Sequence, residues 1–180
     1  MGTKVRDMRT TQTKQSLIDA FFYFVSTKDF EKITIADLTQ EAKVNRATFY
    51  AHFNDKYDLL DYIMGDSATM AIERQTSGAY KFDQESINQL ILAVCDFYQQ
   101  PKFKCRQSNI GLVIPQLKEK IINELKLYLF KSIDNQFTDM EKDLYIPIYA
   151  QIIHEAGYLW ASGNIEFSKE EVAQRISKWI

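Results

Sequence analysis

The sequence predicts an all-α fold, with a small N-terminal three-helix domain containing a helix-turn-helix and a larger helical C-terminal domain. Three observations carry this. Six Gly and three Pro in 180 residues leave few punctuation points, which suits long helices better than many strands. Apolar residues recur at three-four spacing from Leu17 onward. Helix-start residues stand ahead of several apolar runs, at Thr34, Asn45, Asp55 and Ser168. With 46% hydrophobic and 26% charged residues, the chain has the composition of a folded domain rather than a disordered one.

The first helix is expected from about Thr11 to Thr27, where Leu17, Phe21, Phe24 and Val25 form one stripe that Ile18 and Phe22 widen. Lys28-Asp29 and Lys32 break it. Thr34 then caps a second helix, with the charge of Asp37 favouring its first turn. Lys43-Val44 makes a turn, and Asn45 caps a third helix over 46–53. Asp55 caps a fourth helix reaching about Thr76, with Asp58 at the capping-box position.

Ser77-Gly78, followed by Lys81 and Asp83, is the clearest break after that. Ile87, Leu90, Ile91, Val94 and Phe97 mark a helix that stops near Pro101. A short helix is expected around 108–113, and Pro115 reads as the first residue of the next, which carries Leu117, Ile121, Leu125, Leu129 and Ile133. Another runs from about Met140 to Ala161 and ends at Gly163-Asn164. Ser168 caps the last, with Glu171 three residues on. The domains divide as 1–57 and 58–180.

The helix through Leu144–Trp160 is apolar on two sides, so either it lies at the centre of its own domain or one side is covered by a second copy of the chain. Tyr145, Ile148, Ile152, Ala156 and Leu159 line one side, and Val172, Ile176 and Trp179 follow on the final helix. A four-helix contact between two copies of the chain about a two-fold axis would bury them.

Charge is uneven. Residues 1–57 carry nine Lys/Arg against seven Asp/Glu, while the remainder is acidic within a total of −2. A mildly basic front joined to an acidic back fits a nucleic-acid reader attached to something that avoids nucleic acid. Lys4, Arg6 and Arg9 would extend the basic region as an N-terminal arm. Cys95 and Cys105 form no CxxC pair, the N-terminus has no apolar signal core, and the longest apolar runs are too short to span a bilayer. The expectation is a cytoplasmic protein with no membrane partner, no cofactor and no metal. Catalysis is not expected either. His154-Glu155-Ala156-Gly157-Tyr158 begins like a zinc-protease helix and ends in Tyr where the second ligand belongs. There is no Gly-x-Ser-x-Gly, phosphate-cradling loop or dinucleotide fingerprint.

Between Ile33 and Leu60 the pattern is most specific. Ile35, Leu38, Ala42, Val44, Phe49 and Phe53 are expected to face inward. The second helix of the pair then presents Asn45, Arg46, Ala47, Thr48, Tyr50 and His52. Arg donates to guanine, Asn to adenine or phosphate, and small Ala and Thr let a helix lie deep against thymine methyls. Thr34 and its neighbouring amides suit a phosphate at a helix start, and Lys56 suits the backbone nearby.

Residues 17–60 are similar to the N-terminal domain of the TetR/AcrR family of transcriptional regulators. The likeness rests on a threonine opening helix two and on the run from Arg46 to Leu60, with its Phe49-Tyr50 pair, His52-Phe53 and Lys56-x-x-Leu-Leu. The family often has Gly where this chain has Lys43, and Leu38-Thr39 stands for a usual Ile-Ala. Gly163–Glu171 weakly resembles the last-helix junction of a subgroup that includes regulators of dihydroxyacetone kinase operons. The resemblance implies a homodimer on double-stranded, palindromic DNA, and usually repression relieved by a small-molecule effector. It places the effector inside the C-terminal domain, for which Phe97, Tyr98, Phe103, Tyr128, Tyr149, His154 and Trp160 are the candidate lining. Some members work through protein partners, so a co-regulator that binds DNA weakly or not at all is the alternative.

Overall fold

The computed structural model describes residues 2–100, 107–133 and 137–180, all of them helix, turn or coil with no strand. In chain order the helices are α1 (Gly2–Thr27), α2 (Ile35–Glu41), α3 (Arg46–Tyr50), α4 (Lys56–Thr76), α5 (Gln84–Gln99), α6 (Gln107–Ser132), α7 (Asp139–Ala161) and α8 (Lys169–Ile176). A single 3-10 turn, Phe30–Lys32, lies between α1 and α2. Two compact units result: Met1–Ile63 with Lys104–Ile114, and Met64–Phe103 with Pro115–Ile180. The boundary expected from the sequence, 57/58, falls six residues before the first break between these units, and the start of α6 groups with the first unit.

Three elements differ from expectation. α1 begins at Gly2, not near Thr11, so Lys4, Arg6 and Arg9 lie on a helix rather than an extended arm. α3 ends at Tyr50, because the His52 and Phe53 amides both turn back onto the Phe49 carbonyl, at 2.9 Å each. α6 runs unbroken through Pro115, where a separate helix start was expected. An interior proline forfeits one hydrogen bond and crowds the carbonyl four residues back. Here that residue is Gly111, free to bend. Burial of Asn109 and Val113 before the proline, and of Leu117, Ile121 and Leu125 after it, holds the helix together.

In the first unit, Leu17, Phe21, Phe30, Ile33, Leu38, Phe49 and Leu59 are buried to 2% exposure or less. Each such side chain contributes roughly 1.5–3 kcal/mol relative to exposure. In the second unit α5, α7 and α8 pack against one another. α5 and α7 approach tightly at Gly157, where an added Cβ would lie 2.6 Å from Val94 Cβ and 3.1 Å from the Cys95 backbone nitrogen. α7 and α8 both begin with reciprocal capping boxes, Thr138–Glu141 and Ser168–Glu171. Gly163, at φ +73°, ends α7 with its amide on the Trp160 carbonyl.

Candidate nucleic-acid interface

The α2–turn–α3 segment is built from local hydrogen bonds. The Thr34 hydroxyl accepts the Asp37 amide at 3.1 Å, and the Asp37 carboxylate accepts the Thr34 amide at 2.9 Å. Hydrogen bonding from the Lys28 ammonium, then from the Thr34 backbone, holds Asp37 below the usual carboxylate range. At the other end of α2, Lys43 stands at φ 54°, its amide on the Gln40 carbonyl and the Val44 amide on the Thr39 carbonyl. This double closure satisfies two terminal carbonyls and holds Lys43 left-handed without glycine.

α3 starts on Asn45, whose Oδ1 accepts the Thr48 amide at 2.7 Å and the Thr48 hydroxyl at 2.8 Å. Phe49 and Phe53 turn inward, fully or nearly fully buried, with ring centroids 5.9 Å apart. The opposite side of α3 is open. Asn45, Arg46 and Ala47 are exposed, Tyr50 is 58% exposed, and Thr48 and His52 are half-buried. Six of the eight residues expected to meet DNA therefore occupy one short stretch anchored by buried rings.

The other two are placed differently. Lys56 points its ammonium at the junction between α1 and α2, donating to the carbonyls of Phe30 (2.8 Å), Glu31 (3.0 Å) and Ile33 (3.1 Å). An ammonium has three donors, and all three are engaged. The same cation lies 4.7 Å above the Phe30 ring, and its side chain is 14% exposed. Lys56 thus clamps the protein's own backbone and is not presented as a phosphate contact. Thr34 is exposed, but a phosphate at its amide would meet the Asp37 carboxylate already bound there. Its role is the cap.

The candidate effector residues do not converge on one cavity among the described residues. Phe103 lies outside those residues. Phe97 is buried in the core. Tyr128 donates to the Ala79 carbonyl, and Trp160 donates to the Phe167 carbonyl. Tyr149 stacks between Phe82 and Tyr145. Tyr98 meets His154, with 2.9 Å between the phenol oxygen and Nε2, and its ring lies edge-on to that of its neighbour Phe97 at 5.2 Å. His154 is wholly buried and its Nδ1 has no hydrogen-bond partner, the nearest Glu155 oxygen standing 3.7 Å away.

Burial, followed by the charge of Lys118, pushes the His154 imidazole down to about 4. The unfolded chain takes up that proton near pH 6.5. Between those values the unfolded state binds more protons, so stability contributed by neutral His154 is complete above pH 6.5 and is lost as pH falls towards 4. Thermal melts should show His154→Phe less sensitive to acid than the parent across this window. Equal slopes would contradict the assignment.

The predicted pairing face also divides. Ile148, Ile152 and Leu159 are 45%, 40% and 38% exposed, and Trp179 is 87% exposed. Tyr145 and Ile176 are half-buried. Ala156 and Val172 are buried inside the chain and are core, not surface, because the packing of α7 with α8 encloses them. Leu144, 55% exposed and one turn before Ile148, joins the outward stripe. Among the described residues no group of His, Cys, Asp or Glu could hold a metal ion, and no helix is long and apolar enough to cross a membrane.

Comparison with known proteins places this arrangement. The family model described as "Bacterial regulatory proteins, tetR family" matches residues 17–63, which include α2, the turn and α3. The chain is 26% identical over 155 residues to an uncharacterized HTH-type transcriptional regulator, YxbF, of Bacillus subtilis strain 168. That match takes in 82% of this chain and 38% of the relative, so the chain spans well under half of that protein's length. In fold it resembles the dihydroxyacetone kinase operon activator DhaS, with a TM-score of 0.58 at 20% identity and 93% of each chain covered. It also resembles a TetR transcriptional regulator from Streptococcus agalactiae 2603V, with a TM-score of 0.59 at 17% identity, covering 99% of this chain and 98% of that one.

Proposed function

We propose that this chain, whose residues 17–63 match the tetR family of bacterial regulatory proteins, is a cytoplasmic transcriptional regulator of that family that binds a palindromic operator as a homodimer. One observation carries the reading. The α3 face from Asn45 to Tyr50 is exposed and chemically suited to base edges, while Phe49 and Phe53 fix the helix from behind. Arg46 has no hydrogen bond or ion pair among the described residues, which leaves its five donors available to guanine or phosphate. Repression is the effect that operator occupancy alone produces, since a bound dimer excludes other proteins from the same duplex. Response to a small effector is favoured by His154 Nδ1, a hydrogen-bonding position in the second unit with no partner.

Selection from a random duplex pool, followed by fluorescence anisotropy, tests the reading. A palindrome should emerge, bound with steep weakening as salt rises. Arg46→Ala should bind at least tenfold more weakly with an unchanged melting temperature, consistent with about 1–3 kcal/mol for a bidentate base contact. Lys56→Met should instead lower the melting temperature, because it strips three carbonyls of their donor. Retention of full regulation by Arg46→Ala would favour the co-regulator that acts through a protein partner.

A further inference from the structure

The start of α6 is wired into the reading unit by one side chain. Asn109 is 2% exposed. Its amide nitrogen donates to the carbonyls of Val25 and Lys28, each at 3.0 Å, and its oxygen accepts the Phe30 amide at 2.8 Å. Beside it the Ser108 hydroxyl donates to Asp29 at 2.7 Å. Val25 lies in the last turn of α1, where carbonyls have no helical partner, and Phe30 opens the 3-10 turn. Asn109 therefore supplies what this break in the backbone lacks, from 79 positions further along the chain.

Lys56 completes the arrangement by holding the carbonyls of Phe30, Glu31 and Ile33. Thr34, the cap of α2, follows directly. The exit of α1 and the entry to α2 are thus set by two side chains that belong to neither helix. A primary amide is the side chain that presents donors and an acceptor together to a peptide backbone.

We infer that Asn109 is a positioning residue for DNA reading. The reading head is incomplete at Ile63 and needs the first turns of α6, whose asparagine fixes where α2, and with it α3, departs from α1. This rests on the DNA-binding reading above, and it adds a determinant outside the segment matched to the family.

The test uses the full chain in three variants, Asn109→Ala, the milder Asn109→Ser and Val113→Ala. The last removes buried apolar contact from the same turns of α6 without touching a hydrogen bond. Each is compared with the parent at a temperature where circular dichroism shows full helix content. Two quantities are read: affinity for the selected operator and hydrogen exchange at the Phe30 amide. Both Asn109 variants should bind at least tenfold more weakly and exchange Phe30 faster. Val113→Ala should bind as the parent does despite a lower melting temperature. Parent-like affinity in a folded Asn109 variant overturns the proposal, as does an equal loss in Val113→Ala. If the parent itself selects no duplex, the DNA-binding reading fails, and this role with it. Faster Phe30 exchange in the variants would then survive as a purely structural effect, which separates the two failures.

Discussion

Ile148→Asp combined with Ile152→Asp is expected to yield a monomer that no longer retains its operator. Leu144, Ile148, Ile152 and Leu159 recur along α7 at spacings of four, four and seven, and all face outward. Burying side chains of this size contributes roughly 1.5–3 kcal/mol each, so a second copy covering the stripe draws on several such contributions. Two carboxylates at its centre would have to be desolvated opposite apolar neighbours, and two-fold symmetry places both of them in each subunit of the pair. Both isoleucines are at least 40% exposed within the chain, so the helix itself should tolerate the change. In the proposed dimer, loss of pairing would turn a bivalent attachment into a single half-site and lower apparent affinity by about 10²–10⁴-fold. Sedimentation equilibrium and operator titration read the two effects. A variant that stays dimeric with unchanged affinity would place the pairing surface elsewhere.

Gly157→Ala should be the most damaging single methyl in the protein. The new carbon would lie 2.6 Å from Val94 Cβ and 2.7 Å from Val94 Cγ1, with the Cys95 backbone nitrogen at 3.1 Å. Val94 is wholly buried, and no side-chain rotation moves its Cβ away. Relief requires α5 and α7 to separate. Overpacking of this kind costs about 1–3 kcal/mol and sometimes more, against roughly 1 kcal/mol gained in helix propensity. Gly157→Ala should therefore melt several degrees lower, and Gly157→Val lower still. In a double-mutant cycle, Gly157→Ala should cost less in a Val94→Gly background than alone, because that change removes both the Cβ and the Cγ1 that the new methyl would meet. Additive losses would show that the two residues do not meet.

Much of the reading unit was legible because its signals are local. Thr34 and Asn45 accept amides three residues ahead, Asp55 accepts the amides of Tyr57 and Asp58, and Ser168 with Glu171 closes a box within one turn. The left-handed Lys43 was expected from the family resemblance, since the family often has Gly at that turn. These contacts join residues two to four apart, and residue type together with spacing is enough to specify them.

Where contacts join distant parts of the chain, residue type misled. Lys56 looks like a phosphate ligand until Phe30 and Ile33 are seen to receive it. Asn109 carries no mark in the sequence that separates it from any other asparagine. Ala156 and Ile152 lie on the same side by helical spacing, yet one is enclosed and the other is open. The candidate aromatics were chosen for what they are, and they scatter to separate neighbours.

The sequence by itself determined the all-helical class, the caps, the turn and the exposed face of α3. Tertiary structure alone decided that the Lys56 ammonium is taken up by backbone carbonyls, which apolar residues remain uncovered, and where Asn109 sends its hydrogen bonds. The reason is one of range: a helix and its caps are specified by side chains within a turn of each other, whereas the destination of a buried donor depends on a backbone group brought beside it from elsewhere in the chain.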